Sequence, residues 1–423
     1  MRLITAFVVF CACCLLASCP VDPARIKLQS GRIESGIPTA PSSMAFIASF
    51  GGSGVEEGKF TRIGGLAAAN GRVYVADQAL SRIQYFDYFG EYLGSWGCGL
   101  NVNDFGVSEQ TLAAKREAGE TELMSPGVVQ AIADRMFFRA FDIATYEGDV
   151  LVLNNFHSRA DSDSAMMTPE IIRFSPEGEL KQTYDIFSVL PCFIAVDEGN
   201  RRVGVSDIVN NAFEVFDLDT LELLGGSRRT YGQNYIKYLE HVYSTPDPKE
   251  QARLSRDWLR AGSAEGQFDF ISGLAFYSAQ VEGGETVDMV LTVDRNNNRI
   301  QVFTVDGTHL KTIKGRISGK NDMFTKPSDI AVSSKGLVYL TDQNQEQPRV
   351  IVLSSRFNPL YTLGHPQMKA PSYIELTDDG FVFVTDSQTN LVFVFGPKEE
   401  KLAAGKSLME SEPKQPSEAG PGS

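Results

Sequence analysis

From Met44 to Gly396 the chain repeats one pattern: short runs of β-branched and aromatic residues alternate with polar positions and are divided by Gly, Asn and Asp turns. A period of two over such short runs predicts twisted antiparallel strands. Two stretches align almost residue for residue. One holds Gly58-Lys-Phe, Val73-Tyr-Val-Ala-Asp77, Arg82-Ile-Gln-Tyr-Phe86 and Gly90-Glu-Tyr-Leu. The other holds Gly266-Gln-Phe, Val290-Leu-Thr-Val-Asp294, Arg299-Ile-Gln-Val-Phe303 and Gly307-Thr-His-Leu. Two more follow, with Val338-Tyr-Leu-Thr-Asp342 before Arg349-Val-Ile-Val-Leu353, and Val382-Phe-Val-Thr-Asp386 before Leu391-Val-Phe-Val-Phe395. Weaker copies carry Phe141-Asp-Ile-Ala with Val150-Leu-Val-Leu-Asn154, and Phe193-Ile-Ala-Val with Val203-Gly-Val-Ser-Asp207. The Asp-like positions 77, 154, 207, 294, 342 and 386 lie 77, 53, 87, 48 and 44 residues apart, so a unit of about 44 residues carries two long insertions.

These units resemble the NHL repeat, four antiparallel strands forming one blade of a β-propeller. The resemblance covers residues 44–396 and implies an all-β, six-bladed β-propeller, in which radial packing buries both faces of every blade. The last unit lacks an outer strand, because the chain turns at Pro397 into a tail rich in Pro, Ser, Glu and Lys, expected to be disordered over 397–423. Met44-Ala-Phe-Ile-Ala-Ser-Phe50-Gly, placed just before the first blade, reads like the outer strand Leu93-Gly-Ser-Trp96-Gly and is expected to complete blade six. Helix signals, a capping Ser125 followed by Pro126 among them, mark the insertions at about 98–138 and 229–264. Both follow a fourth strand, so strand parity puts them on the face that bears the Asp turns, where they would wall a cleft at one channel mouth.

The N-terminus adds an address. Residues 1–18 carry Arg2 and then an apolar run from Leu3 to Ala17, the pattern of an export signal and short for a membrane span. Leu16-Ala17-Ser18-Cys19 resembles the bacterial lipobox, which implies that Cys19 is acylated and becomes the first residue of a lipoprotein on the inner or outer membrane, its folded body in the periplasm or at the cell surface. Residues 19–43 then read as the lipidated Cys and a flexible tether. Of six cysteines only Cys98 and Cys192 remain in the folded body, as buried thiols or as one disulfide. Cleavage removes Arg2 and no acid, which leaves 38 bases against 53 acids, a net charge of −15 that excludes nucleic acid as a partner class.

Candidate chemistry is sparse. The spacing of five in Asp77/Arg82 and Asp294/Arg299 suits a charge-assisted brace across a turn, and Asp207, Asp342 and Asp386 occupy the same position. Ligand contact is the competing role for these turns, and Asn154 with Asn155 marks where blade two departs. In the second insertion Lys249, Arg253, Arg256 and Arg260 recur at helical spacing as a basic stripe, with Tyr235, Tyr238 and Trp258 as a possible aromatic platform. No zinc-protease, nucleophile-elbow or phosphate-loop motif occurs, and the four histidines, 157, 241, 309 and 365, are dispersed. The expectation is a monomeric, non-enzymatic module that binds protein or glycan in the cell envelope and needs no cofactor. The alternative is a Ca²⁺- or Zn²⁺-dependent hydrolase or lyase, with Asn154, Asp207 and Asp294 as candidate Ca²⁺ ligands.

Overall fold

The computed structural model describes residues 44–97, 140–154, 169–186, 190–208, 210–227, 247, 249, 261–280, 286–315 and 322–397. They form six four-stranded antiparallel sheets in a ring, a six-bladed β-propeller. Blade one is β2 (Ile63–Ala69), β3 (Arg72–Asp77), β4 (Arg82–Asp87) and β5 (Tyr92–Gly97). Blade two is β6 (Ala140–Tyr146), β7 (Asp149–Asn154), β8 (Glu170–Phe174) and β9 (Leu180–Asp185). Blade three is β10 (Pro191–Asp197), β11 (Arg202–Asp207), β12 (Ala212–Asp217) and β13 (Leu223–Gly226). Blade four is β14 (Ile271–Gln280), β15 (Thr286–Asp294), β16 (Arg299–Thr304) and β17 (His309–Lys314). Blade five is β18 (Pro327–Val332), β19 (Val338–Asp342), β20 (Arg349–Leu353) and β21 (Pro359–Leu363). Blade six is β22 (Pro371–Leu376), β23 (Val382–Asp386) and β24 (Leu391–Pro397), completed by β1 (Met44–Gly51).

The strand pattern gives each blade two apolar faces, and each face packs on a neighbour, so the core is distributed among the six interfaces. Val73, Val75 and Phe86 of blade one pack with Phe383, Val392 and Val394 of blade six, and comparable clusters fill the other five junctions. Closure follows the sequence expectation: β1 lies antiparallel to β24, from Met44 opposite Pro397 to Gly51 opposite Leu391. Phe50 of β1 then packs at 4.6 Å against Phe86 of blade one, the two rings tilted, which ties the two ends of the propeller across the seam. The expected helical insertions, the tail after Pro397 and everything before Met44, Cys19 included, lie outside the described residues.

One feature recurs in every blade. The pairing of the innermost strand with its neighbour slips near its start, between Ile63 and Gly65, Ala140 and Asp142, Pro191 and Phe193, Ile271 and Leu274, Pro327 and Ile330, and Pro371 and Ile374. A bulge adds a residue to one strand and re-aims its side chain. Here the re-aimed positions ring the central channel.

Candidate functional site: the channel and its acidic mouth

In blade order the ring at the bulge reads Gly65, Asp142, Phe193, Gly273, Asp329, Tyr373. The sequence Gly, Asp, aromatic therefore occurs twice, and like residues stand on opposite blades. Phe193 and Tyr373 meet over the channel axis with ring centroids 5.3 Å apart, and the Tyr373 hydroxyl donates to the Phe141 carbonyl at 3.1 Å. These contacts close the channel at this level.

The two carboxylates are built alike. Asp142 Oδ1 accepts the Ile143 N–H at 2.9 Å and Oδ2 the Ile194 N–H of the next blade at 3.0 Å. Asp329 Oδ1 accepts the Ile330 N–H at 2.8 Å and Oδ2 the Ile374 N–H of the next blade at 3.0 Å. Each thus clasps two adjacent blades. The glycines make the room: a Cβ on Gly65 would sit 2.7 Å from Asp142 Cα, and one on Gly273 would sit 2.0 Å from Asp329 Oδ1. Asp142 is 5 % and Asp329 8 % exposed. Burial, then the charge of Asp329, pushes the Asp142 carboxyl well above the usual range, against the pull of its two N–H donors. Burial pushes Asp329 up to about 7, and burial with the Asp329 charge pushes Glu375, one step up the same wall, to about 8.

Above this floor lies a cavity of about 900 Å³. Its surface is mainly polar, with apolar side chains at Leu66, Ala144, Val196, Ala275, Phe276 and Leu376, and its mouth is formed by the turns between first and second strands, at Asn70–Gly71, Glu147–Gly148 and Thr377–Asp379. Every charged residue that lines it is acidic: Asp142, Glu147, Glu198, Asp329, Glu375, Asp378 and Asp379. Strand parity puts this mouth on the face opposite the Asp77-type turns. The cleft expected from sequence would be walled by the insertions on the other face, outside the described residues. A polar groove of about 540 Å³ does lie on that face between blades five and six, lined by Lys326, Gln343, Gln345, Gln347, Lys369 and Gln388 among others.

The repeat turns hold their own blades. Asp77 accepts the Thr61 and Arg62 N–H groups at 3.1 Å and meets Arg82 at 3.5 Å. Arg299 donates to Asp294 at 2.6 Å and to the carbonyls of Ser263, Ala264 and Gln267. Asp342 takes the Thr325 and Lys326 N–H groups, with Arg349 3.7 Å away, and Asp386 takes those of Lys369 and Ala370. In every case the Asp at the end of the second strand grips the loop leading into the first strand of its own blade. Asp207 instead accepts the Asn210 backbone and side chain, and Asn154, 1 % exposed, donates to Glu170 at 3.4 Å.

Asn154, Asp207 and Asp294, weighed as Ca²⁺ ligands, stand in three different blades, engaged by these local partners. Among the described residues no group of three or more His, Cys, Asp or Glu is arranged to hold a metal ion. His309 bonds Thr312, and His365 stacks on Phe46 away from the channel. Cys192 is a free, buried thiol, its pKa pushed up to about 12 by burial and the Asp207 charge. Lys249 is exposed, its N–H on Asp247. Asn155, Tyr235, Tyr238, Arg253, Arg256, Trp258, Arg260 and Cys98 lie outside the described residues. The sequence reading missed Asp142, Asp329 and Glu375; the signal for the first two is the recurrence of Asp-Ile-Ala at 142–144 and 329–331, where other blades carry Gly or an aromatic residue.

No family model matches the chain, and no curated protein matches it. Among solved structures, it is similar to a Bacteroides thetaiotaomicron protein of unknown function at 12% identity, over 84% of this chain and 76% of that one, with a TM-score of 0.45. It is also similar to the WD40 β-propeller domain of Doa1 at 10% identity, over 85% and 99% of the two chains, with a TM-score of 0.44. For a streptogramin B lyase the identity is 11%, the coverage 80% and 94%, and the TM-score 0.43.

Proposed function

We propose that the protein is a lipid-anchored, non-enzymatic binding propeller of the bacterial cell envelope, tethered through Cys19 and receiving its partner at the acidic channel mouth. The observation that carries the binding role is the blind cavity, closed below by Phe193 and Tyr373 and open above among the Glu147 and Asp378 turns. A concave space of this size with a few fixed polar groups is the ordinary form of a ligand site. The Asp and Arg residues of the repeat, engaged in their own turns, support a non-enzymatic reading. The basic stripe Lys249, Arg253, Arg256 and Arg260 and the Tyr235, Tyr238 and Trp258 platform would serve a second contact on the opposite face.

The anchor is tested by fractionation: Cys19→Ala should move the protein from membrane to soluble fractions and abolish a diacylglyceryl mass increment. The binding role is tested with a photo-crosslinking residue at Asp378 on the mouth and, separately, at Leu180 on an outer strand. Envelope crosslinks to a defined partner from position 378 and none from 180 are expected. Equal labelling from both sites would remove the mouth as the binding surface. Stoichiometric Ca²⁺ or Zn²⁺ retained through dialysis would replace this reading with the metal-dependent hydrolase or lyase.

A further inference from the structure

We propose that the channel cavity receives an amine or guanidinium on an aliphatic stem, the lysine or arginine side chain of a protein partner; this rests on the reading of the mouth as the binding site. Three independent features of the cavity agree on that chemistry. Its size, about 900 Å³, is far more than a dehydrated ion fills and suits several side chains. Its wall, polar for the most part, carries Leu66, Ala275 and Phe276, apolar side chains against which a methylene stem can lie.

Charge supplies the third feature. Asp142, Asp329 and Glu375 form no ion pair among the described residues. Asp142 and Asp329 hold only backbone N–H groups, one on each oxygen, and Glu375 accepts no hydrogen bond among the described residues although it stands inside the channel. Carboxylates so placed are costly to ionise without a counter-charge. No base lines the cavity: on the same face Arg173 is paired by Asp149 and Glu147, Arg201 by Asp219 and Arg202 by Asp288, and Lys335 in the blade-five turn is exposed and outside the lining. Protonation keeps the three carboxyls neutral in the unliganded channel, and a cation brought by the ligand is the counter-charge that lets them ionise. Glu375, part-way up the wall, is the carboxylate an incoming ammonium meets before the closed floor.

The test uses residues 20–423 and the peptide acetyl-Gly-Leu-Lys-Leu-Gly-amide, followed by calorimetric titration. Acetylating the lysine Nε should weaken binding about tenfold or more, the loss of one charge-assisted hydrogen bond. Glu375→Gln should do the same to the unmodified peptide, whereas Glu346→Gln on the opposite face should leave it unchanged. The acetylated arm uses the unaltered protein, so a misfolded variant cannot mask the result. Equal affinity of the two peptides, indifference to Glu375→Gln, or no binding at millimolar peptide each overturns the proposal.

A bulky maleimide at Ala69→Cys, on a Cys98→Ser background, separates this from the underlying reading. If the block abolishes binding of both peptides and they bound equally, the cavity is the site and the cationic class is wrong. If the block changes nothing, the channel reading is wrong and the proposal falls with it.

Discussion

Gly273 has room for a hydrogen and nothing larger, because a Cβ there would lie 2.0 Å from Asp329 Oδ1 and 2.6 Å from Asp329 Cα. Gly273→Ala should therefore cost about 1–3 kcal/mol by overpacking, measured by urea unfolding. Asp329→Ala alone should cost a similar amount, about 1–3 kcal/mol, because it leaves the Ile330 and Ile374 N–H groups without their acceptor. Together they should be less than additive, since the new methyl enters space the carboxylate vacated. Gly58→Ala gives the contrast: its Cβ would meet nothing within 4 Å, and only the positive φ of 75° opposes it, so a smaller loss, about 1 kcal/mol, is expected. Strict additivity of Gly273→Ala and Asp329→Ala would show that the glycine is not there to seat the carboxylate.

At the scale of strands, the repeats were legible because side-chain alternation and the Asp-to-Arg spacing are local properties. The closing strand was legible for the same reason, as Phe50 and Trp96 occupy like positions. The structure gives them like tasks: Phe50 packs on Phe86 of the next blade at 4.6 Å, and Trp96 on Phe174 of the next blade at 4.9 Å. Each leans over a glycine, Gly90 or Gly178, whose φ of 92° or 90° and lack of a Cβ leave the ring its space. The bulge was not legible, because a two-against-one count depends on the partner strand and leaves no mark on alternation. Hence Phe141-Asp142 and Phe193 were recognised as repeat residues without their channel-facing role. Removal of residues 44–51 should strip β24 of its partner and expose its edge to self-pairing, giving dimers or larger species by light scattering. Phe50→Ala, which keeps the strand, should stay monomeric and lose about 2 kcal/mol, below the range for a fully buried Phe because Phe50 is only half-buried.

For the whole molecule, a net charge of −14 was plain from composition, but its concentration at one mouth of the channel was not, since Glu147, Glu198, Glu375 and Asp378 come from three blades. That concentration sets the direction of pH dependence. Glu375 at about 8 and Asp329 at about 7 bind protons more tightly folded than unfolded, where carboxyls titrate near 4. Between about pH 4 and pH 8 the folded state therefore holds more protons, and stability must fall as pH rises through this window. Asp142, Asp77, Asp294 and Asp342, all raised chiefly by burial, act in the same sense. His309, lowered by burial, acts oppositely and adds stability as pH rises towards its unfolded value, so the wild-type curve is a difference of the two. Glu375→Gln isolates the carboxylate. At pH 5 both folded forms are neutral and only the unfolded wild-type carboxyl is ionised, so the gain of the variant should be small there; at pH 8.5 the folded wild type carries the charge as well. Each tenfold in proton affinity is about 1.4 kcal/mol, and solvent in the cavity screens part of it, so a gain of about 1–2 kcal/mol for the variant is expected at pH 8.5. Urea unfolding at the two pH values decides it: an equal gain at both would trace to packing, and a loss at pH 8.5 would mean that Glu375 already has a cationic partner within the chain.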